Sequence, residues 1–210
     1  MFDLVIFSLF NGLLYGMFLF MLASGLTLIF GMMGVLNFAH ASFFMLGAYI
    51  SFQISNWVNF WLALIIAPLI VGFIGALVEK YGLRKVHKFG HVAELLFTFG
   101  LFYLMEEVVQ MIWGKVPVSY RVPEILDFSL IEISGMSYPA YSIFRLALSV
   151  LVFLALFTML TKTRAGLIIK AALTYPEMVS ALGHNVPKVF MLVFGFGCGL
   201  AGLAGVLAGN

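Results

Sequence analysis

Residues 60–88 read FWLALIIAPLIVGFIGALV and then EKYGLRKVHK. No charged side chain stands between Phe60 and Val78, whereas Lys80, Arg84, Lys85 and Lys88 follow within one short segment. A bilayer core takes about 20 helical residues per crossing. The stretch therefore predicts a membrane span that ends on a basic margin. Moving outward, comparable apolar runs cover about 4–30, a region up to about 55, and 92–113, 141–160 and 189–208. Trp57 and Trp61 flank a short polar turn at Asn56 and Asn59, as interfacial aromatics do.

The whole composition agrees. Of 210 residues, 63% are hydrophobic and 10% are charged, and the mean hydropathy is +1.12. Soluble domains carry about 25% charged residues, so the bilayer is the natural solvent for this chain. The predicted fold is all-α: one polytopic transmembrane domain over 1–210 with about six membrane segments, one of them broken or re-entrant near 31–40. A net charge of +2 gives no argument for nucleic acid. The single cysteine, Cys198, excludes a disulfide framework and a Cys-based metal site, and no metal is expected. Met1-Phe2-Asp3 leads directly into the first apolar run without a basic residue, so that run reads as a retained span.

Basic residues mark the cytoplasmic side. Segments 80–88 and 162–188 are both basic, the second through Lys162, Arg164, Lys170 and Lys188. In 115–139, Lys115 and Arg121 are offset by Glu124, Asp127 and Glu132. Two spans separate the basic segments, so both lie inside and 115–139 lies outside. The first terminus lies outside if residues 31–55 cross fully and inside if they only re-enter.

Four features carry functional expectations. Gly31, Gly34, Asn37 and His40 interrupt an apolar region. Irregular backbone at membrane depth is tolerated only where protein buries it or a cavity runs beside it, and transporters place such breaks at substrate sites. Asn37, His40 and Ser42 are accordingly assigned to a translocation path; the bland alternative is a tight turn in which Asn37 caps the second helix. Next, Glu106 and Glu107 lie in a span, at about 2.5–3.5 kcal/mol per carboxylate on insertion scales. Glu107 is six residues from Trp113, about 9 Å at 1.5 Å per residue. Arg145 lies at a similar depth in the next span, and an ion pair with one of the two glutamates is expected. Third, Gly12 and Gly16, Gly72 with Ala76, and Gly195, Gly199, Gly202, Gly205 and Gly209 predict close helix packing. Fourth, Thr174-Tyr-Pro176-Glu177-Met178-Val179-Ser-Ala181-Leu182-Gly183 reads as a short cytoplasmic helix. It has a capping box at Thr174 and Glu177, Pro176 in its first turn and Gly183 at its C-cap. Met178, Val179, Ala181 and Leu182 give it an apolar face, and Asn185 caps the helix that follows. The alternative is a plain connector.

These residues resemble a known family. Leu36-Asn-Phe-Ala-His40 followed by Met45-Leu-Gly-Ala-Tyr49 is similar to the start of the branched-chain amino-acid ABC transporter permeases. Thr98-Phe-Gly-Leu with Glu106-Glu107 and Ile112-Trp-Gly114 resembles the family's middle helix, and Thr98 joins the expected path. Thr163-Arg-Ala-Gly166, Ala181-Leu-Gly183 and Leu200-Ala-Gly-Leu-Ala-Gly-Val206 resemble its cytoplasmic loop and the helix after it. The resemblance covers nearly the whole chain. It implies a subunit that couples to an ATPase through Glu177, Met178, Ala181 and Gly183, with Met178 and Val179 replacing the alanines of the family's docking loop. Implied partners are a second homologous permease, two cytoplasmic ATPases and a periplasmic amino-acid-binding protein, in a bacterial inner membrane. Ala41 and Ser42 stand where the family usually has Gly and an acidic residue. Members usually continue for several more helices, so the chain is expected to lack C-terminal ones.

The chain has no G-x-x-x-x-G-K-[ST] loop, so ATP is expected to be used by partners, and no cofactor is expected on this chain. A self-sufficient channel or secondary transporter is the competing reading. An intramembrane enzyme is disfavoured, because neither a nucleophile–base pair nor H-E-x-x-H is present. Branched-chain amino acids, other amino acids, amides and urea stay open as substrates.

Overall fold

The computed structural model describes all residues except 1, 35, 117, 119–122, 134–135 and 209–210. Arg121 and Gly209, used in the charge and glycine patterns, lie outside the described residues. The chain forms α1 (Phe2–Met33), α2 (His40–Trp57) and α3 (Phe60–Val78). A π-helical turn (Glu79–Leu83), the one-turn α4 (Arg84–Val86) and a 3₁₀ turn (His87–Phe89) lead into α5 (His91–Trp113). A short hairpin, β1 (Ser129–Ile133) with β2 (Met136–Pro139), occupies the outer loop. It is followed by α6 (Ala140–Lys162), α7 (Arg164–Thr174), α8 (Pro176–Ala181) and α9 (Val186–Ala208).

Among the described residues, five segments are long and apolar enough to cross a membrane: 8–31, 60–89, 91–113, 140–162 and 186–208. α2 is the sixth membrane segment. It is 18 residues long and more polar, and it packs against both α3 and α9. α9 is the centre of the bundle. Its most apolar window is 61% buried, against 17–22% for the other four, and it touches α1, α2 and α3.

Glycine makes this crowding feasible. A Cβ on Gly195 would lie 2.7 Å from the Gly72 carbonyl oxygen, and one on Gly197 would lie 2.8 Å from that of Gly25. A Cβ on Gly47 would collide with the Gly202 backbone, and one on Gly205 with the Phe44 carbonyl. Backbones can approach this closely only where side chains are absent. Gly12 and Gly16 differ: within the chain they face open space, so their spacing marks no internal contact.

The contacts order the ends. Trp113 Nε1 donates to Gln53 Oε1 (3.1 Å), Tyr141 Oη donates to the Leu207 carbonyl (3.1 Å), and Phe60 packs against Tyr141. The end of α2, the start of α3, the end of α5, the start of α6 and the end of α9 therefore share the outer end. Asn11, Leu14, Tyr15 and Phe18 of α1 line a recess with Ser142 and Arg145 of α6. α1 thus starts at the outer end, which settles the choice that the sequence left open. Lys80, Arg84, Lys85, Lys88, Lys162, Arg164, Lys170 and Lys188 all belong to segments at the other end, the arrangement of a basic cytoplasmic face.

Candidate functional site: a break at mid-depth

α1 runs to the inner end and stops at Met33. Gly34 turns the chain with a φ of +67°, the left-handed conformation that glycine adopts without strain. Residues 36–39 are non-helical, and α2 begins only at His40. Two neighbours fix the depth. Thr98, seven residues into α5, donates from Oγ1 to the Leu36 carbonyl (3.4 Å) as well as to that of Leu95 (3.1 Å). Ser42 Oγ donates to the Phe102 carbonyl (3.5 Å), eleven residues into α5. Eleven helical residues rise about 16 Å, close to the middle of a core about 30 Å thick. From α1 the depth is the same: His40 Nε2 donates to the carbonyl of Leu22 (3.1 Å), eleven residues before the end of α1. The break is thus the inner half of one crossing, and α2 is its helical outer half.

Asn37, His40, Ser42 and Thr98 are all buried, and the structure brings them to one region between α1, α2 and α5. Asn37 does not cap α2. The N-cap is Ala39, no side chain caps the helix, and its first turn has no acidic residue. Asn37 contributes only its carbonyl, to the His40 N–H (3.1 Å).

The expected ion pair of Arg145 with Glu106 or Glu107 is not formed. α5 rests on α2 and the inner-end turns, whereas α6 rests on α1 and α7, so equal depth does not make them neighbours. Arg145 lies over the Tyr141 ring (5.1 Å to its centroid) and reaches Ser142 Oγ (3.4 Å). Glu106 accepts from Gln110 Nε2 (3.3 Å), one turn along the same helix, and Glu107 faces outward.

At the inner end the structure shows what sequence reasoning missed. Glu79, fully buried, takes a two-pronged grip from Arg84, at 3.0 Å from Nε and 2.5 Å from Nη2, and Nη2 also donates to the Pro187 carbonyl (2.7 Å). Glu94, equally buried, is paired with His87 and with His91 Nδ1 (3.1 Å). Glu79 and Arg84 are five apart, off one face at α-helical spacing. The π turn carries i→i+5 geometry and brings them together. His91 and Glu94, three apart at a helix start, were legible. A cavity of about 420 Å³ beside this cluster is lined by Met33, Glu79, Arg84, His87, Pro176 and Phe190.

The cytoplasmic helix α8 is present, with Pro176 first and Gly183 at φ +87° beyond its end. The capping box is not formed: Thr174 is the last residue of α7, and its hydroxyl donates back to the Lys170 carbonyl (3.2 Å). Val179 turns inward onto Ile169, Ala172 and Val193. The outward face is carried by Tyr175, Met178, Ala181 and Leu182, with Glu177 beside them. Asn185 Oδ1 accepts from the Lys188 N–H (3.0 Å) at the start of α9, as its capping role requires.

Comparison with known proteins places the chain. Residues 8–210 match the model of the family described as the branched-chain amino acid transport system / permease component. The high-affinity branched-chain amino acid transport system permease protein LivH of Salmonella typhimurium is 26% identical, over 97% of this chain and 70% of its own length. BraD of Pseudomonas aeruginosa, of the same description, is 26% identical over 96% and 70%. A probable branched-chain amino acid transport permease protein of Methanocaldococcus jannaschii is 26% identical over 94% and 64%. No solved structure matches the chain significantly. The chain belongs to this permease family, and its described residues form several helices long and apolar enough to cross a membrane.

Proposed function

We propose, from that membership, that the chain is the membrane-spanning subunit of an ATP-binding cassette importer that carries branched-chain or closely related amino acids inward. The observation that carries this reading is the family match across residues 8–210. The chain itself hydrolyses nothing and holds no cofactor. ATP is used by two cytoplasmic ATPases, a periplasmic binding protein delivers the substrate, and a second homologous permease completes the pathway. Asn37, His40, Ser42 and Thr98 belong to that pathway, a role supported by their burial at a helix break. Glu177, Met178, Ala181 and Gly183 couple to an ATPase. The exposed apolar residues of α8, next to the basic segments, support this role, since a short helix with an apolar face docks in a partner's groove.

Leucine uptake into proteoliposomes tests the reading. Uptake is expected only with ATP, the ATPases and the binding protein together. Uptake by the chain alone, driven by an ion gradient, overturns it in favour of a secondary transporter. For the coupling helix, a β-branched side chain at positive φ is strained by about 1 kcal/mol or more. Gly183→Val is therefore expected to abolish uptake and weaken retention of the ATPase in pull-down while membrane insertion stays intact.

A further inference from the structure

Buried polar atoms almost always find a partner, because desolvating one without a hydrogen bond is costly. Among the described residues, three buried side-chain atoms have none: Asn37 Nδ2, Asn37 Oδ1 and His40 Nδ1. All three fall within four residues of the chain, at the mid-depth break, on side chains 3% and 5% exposed. They stand at the N-terminus of α2, which no side chain caps; the His40, Ser42 and Phe43 N–H groups are engaged by the Asn37 and Ala39 carbonyls, and the helix end carries a partial positive charge.

We infer that residues 37–40 and the first turn of α2 form a transient subsite for the ammonium and carboxylate groups of a zwitterionic α-amino acid passing through the bundle. The inference rests on the permease reading and names, within it, the atoms that take the substrate's backbone. The chemistry on offer is two-sided. Asn37 Nδ2 donates and the helix N-terminus is electropositive, which suits a carboxylate. Asn37 Oδ1 accepts, which suits an ammonium. His40 Nε2 spends its proton on the Leu22 carbonyl, which leaves Nδ1 of the neutral ring as a second acceptor. An anion would leave both acceptors idle, and a cation would meet the wrong end of the helix. A ligand with a net charge is also disfavoured at this depth, and α2 carries no Asp, Glu, Lys or Arg to offset one. Beside the break lie Phe43, Met105 and Phe194 of the central apolar cluster, surroundings that suit an aliphatic substrate side chain.

The test uses the full chain in complex with its ATPases and binding protein, in proteoliposomes, with radiolabelled leucine as the probe. Asn37→Leu keeps a similar volume but neither donates nor accepts. Uptake is expected to fall at least ten-fold, while the melting temperature of the purified chain holds or rises, because an unpartnered group has gone. Wild-type uptake overturns the subsite and leaves Asn37 serving a resident water at most. A lowered melting temperature overturns it too, since that marks a residue that builds the fold. If Asn37→Leu does not insert, Asn37→Ser is read in its place. A several-fold loss of uptake at unchanged melting temperature supports the subsite, and wild-type uptake or lowered melting overturns it. A wild-type complex that takes up no leucine is a separate failure, of the permease reading beneath.

Discussion

The inner end and the mid-depth break both interrupt helical regularity, and both bury polar side chains, yet they treat them in opposite ways. At the inner end, Glu79 and Glu94 are as hidden as the core aliphatics, and each is met by cationic or imidazole groups. At the break, Asn37 and His40 are nearly as hidden, and three of their atoms meet nothing. The first arrangement fixes the inner-end turns onto α5 and α9. The second leaves hydrogen-bonding capacity unused near the middle of the bundle. Burial alone therefore does not tell whether a polar group is engaged by the fold; the state of its partners does.

The largest effect that would sharpen this contrast is at the satisfied end. Arg84→Met leaves Glu79 buried and uncompensated. Breaking one side of a buried pair costs about 3–5 kcal/mol, and with the Arg84 side chain 36% exposed we expect about 3. Reversible denaturation in detergent measures it, and a loss under about 1 kcal/mol would remove the basis of the comparison. At the unsatisfied end the sign reverses. Asn37→Leu is expected to add about 1–2 kcal/mol in the same assay, the cost of an unpaired buried group. His91→Ala should remove only about 1 kcal/mol, because His87 still meets Glu94. The smallest effect is that of a pair that does not exist. Arg145→Leu and Glu107→Gln should be additive within about 0.5 kcal/mol, and a larger coupling would show that α5 and α6 communicate after all.

Much of the fold was legible because lipid imposes simple rules. Run lengths and basic margins located the spans, and the glycines of α9 announced its packing. The break expected near 31–40 was legible too, since Gly34, Asn37 and His40 have no place in a lipid-facing helix, although α1 continues through Gly31 to Met33. Its depth was not, because depth depends on which carbonyls of α1 and α5 lie opposite. Arg145 shows the same limit. Depth along a span can be counted from sequence, whereas which helix stands beside it is decided by packing, and α5 and α6 are not neighbours. The inner-end pair was obscured by the π turn, which rotates Glu79 and Arg84 into register. The capping box at Thr174 failed because α7 continues through that residue and its hydroxyl is already engaged.

The glycine seam along α9 bears on how this chain tolerates change. At outward positions such as Leu9, Ile65 or Leu151, one aliphatic residue serves the bilayer as well as another, so exchange among apolar residues there should pass almost unnoticed. At Gly47, Gly195, Gly197 and Gly205 the neighbouring atom is backbone, and even a methyl group has to move a helix. A mutational scan should therefore show a narrow intolerant stripe down the middle of a permissive molecule, and inherited variation should drift around that stripe while leaving it in place.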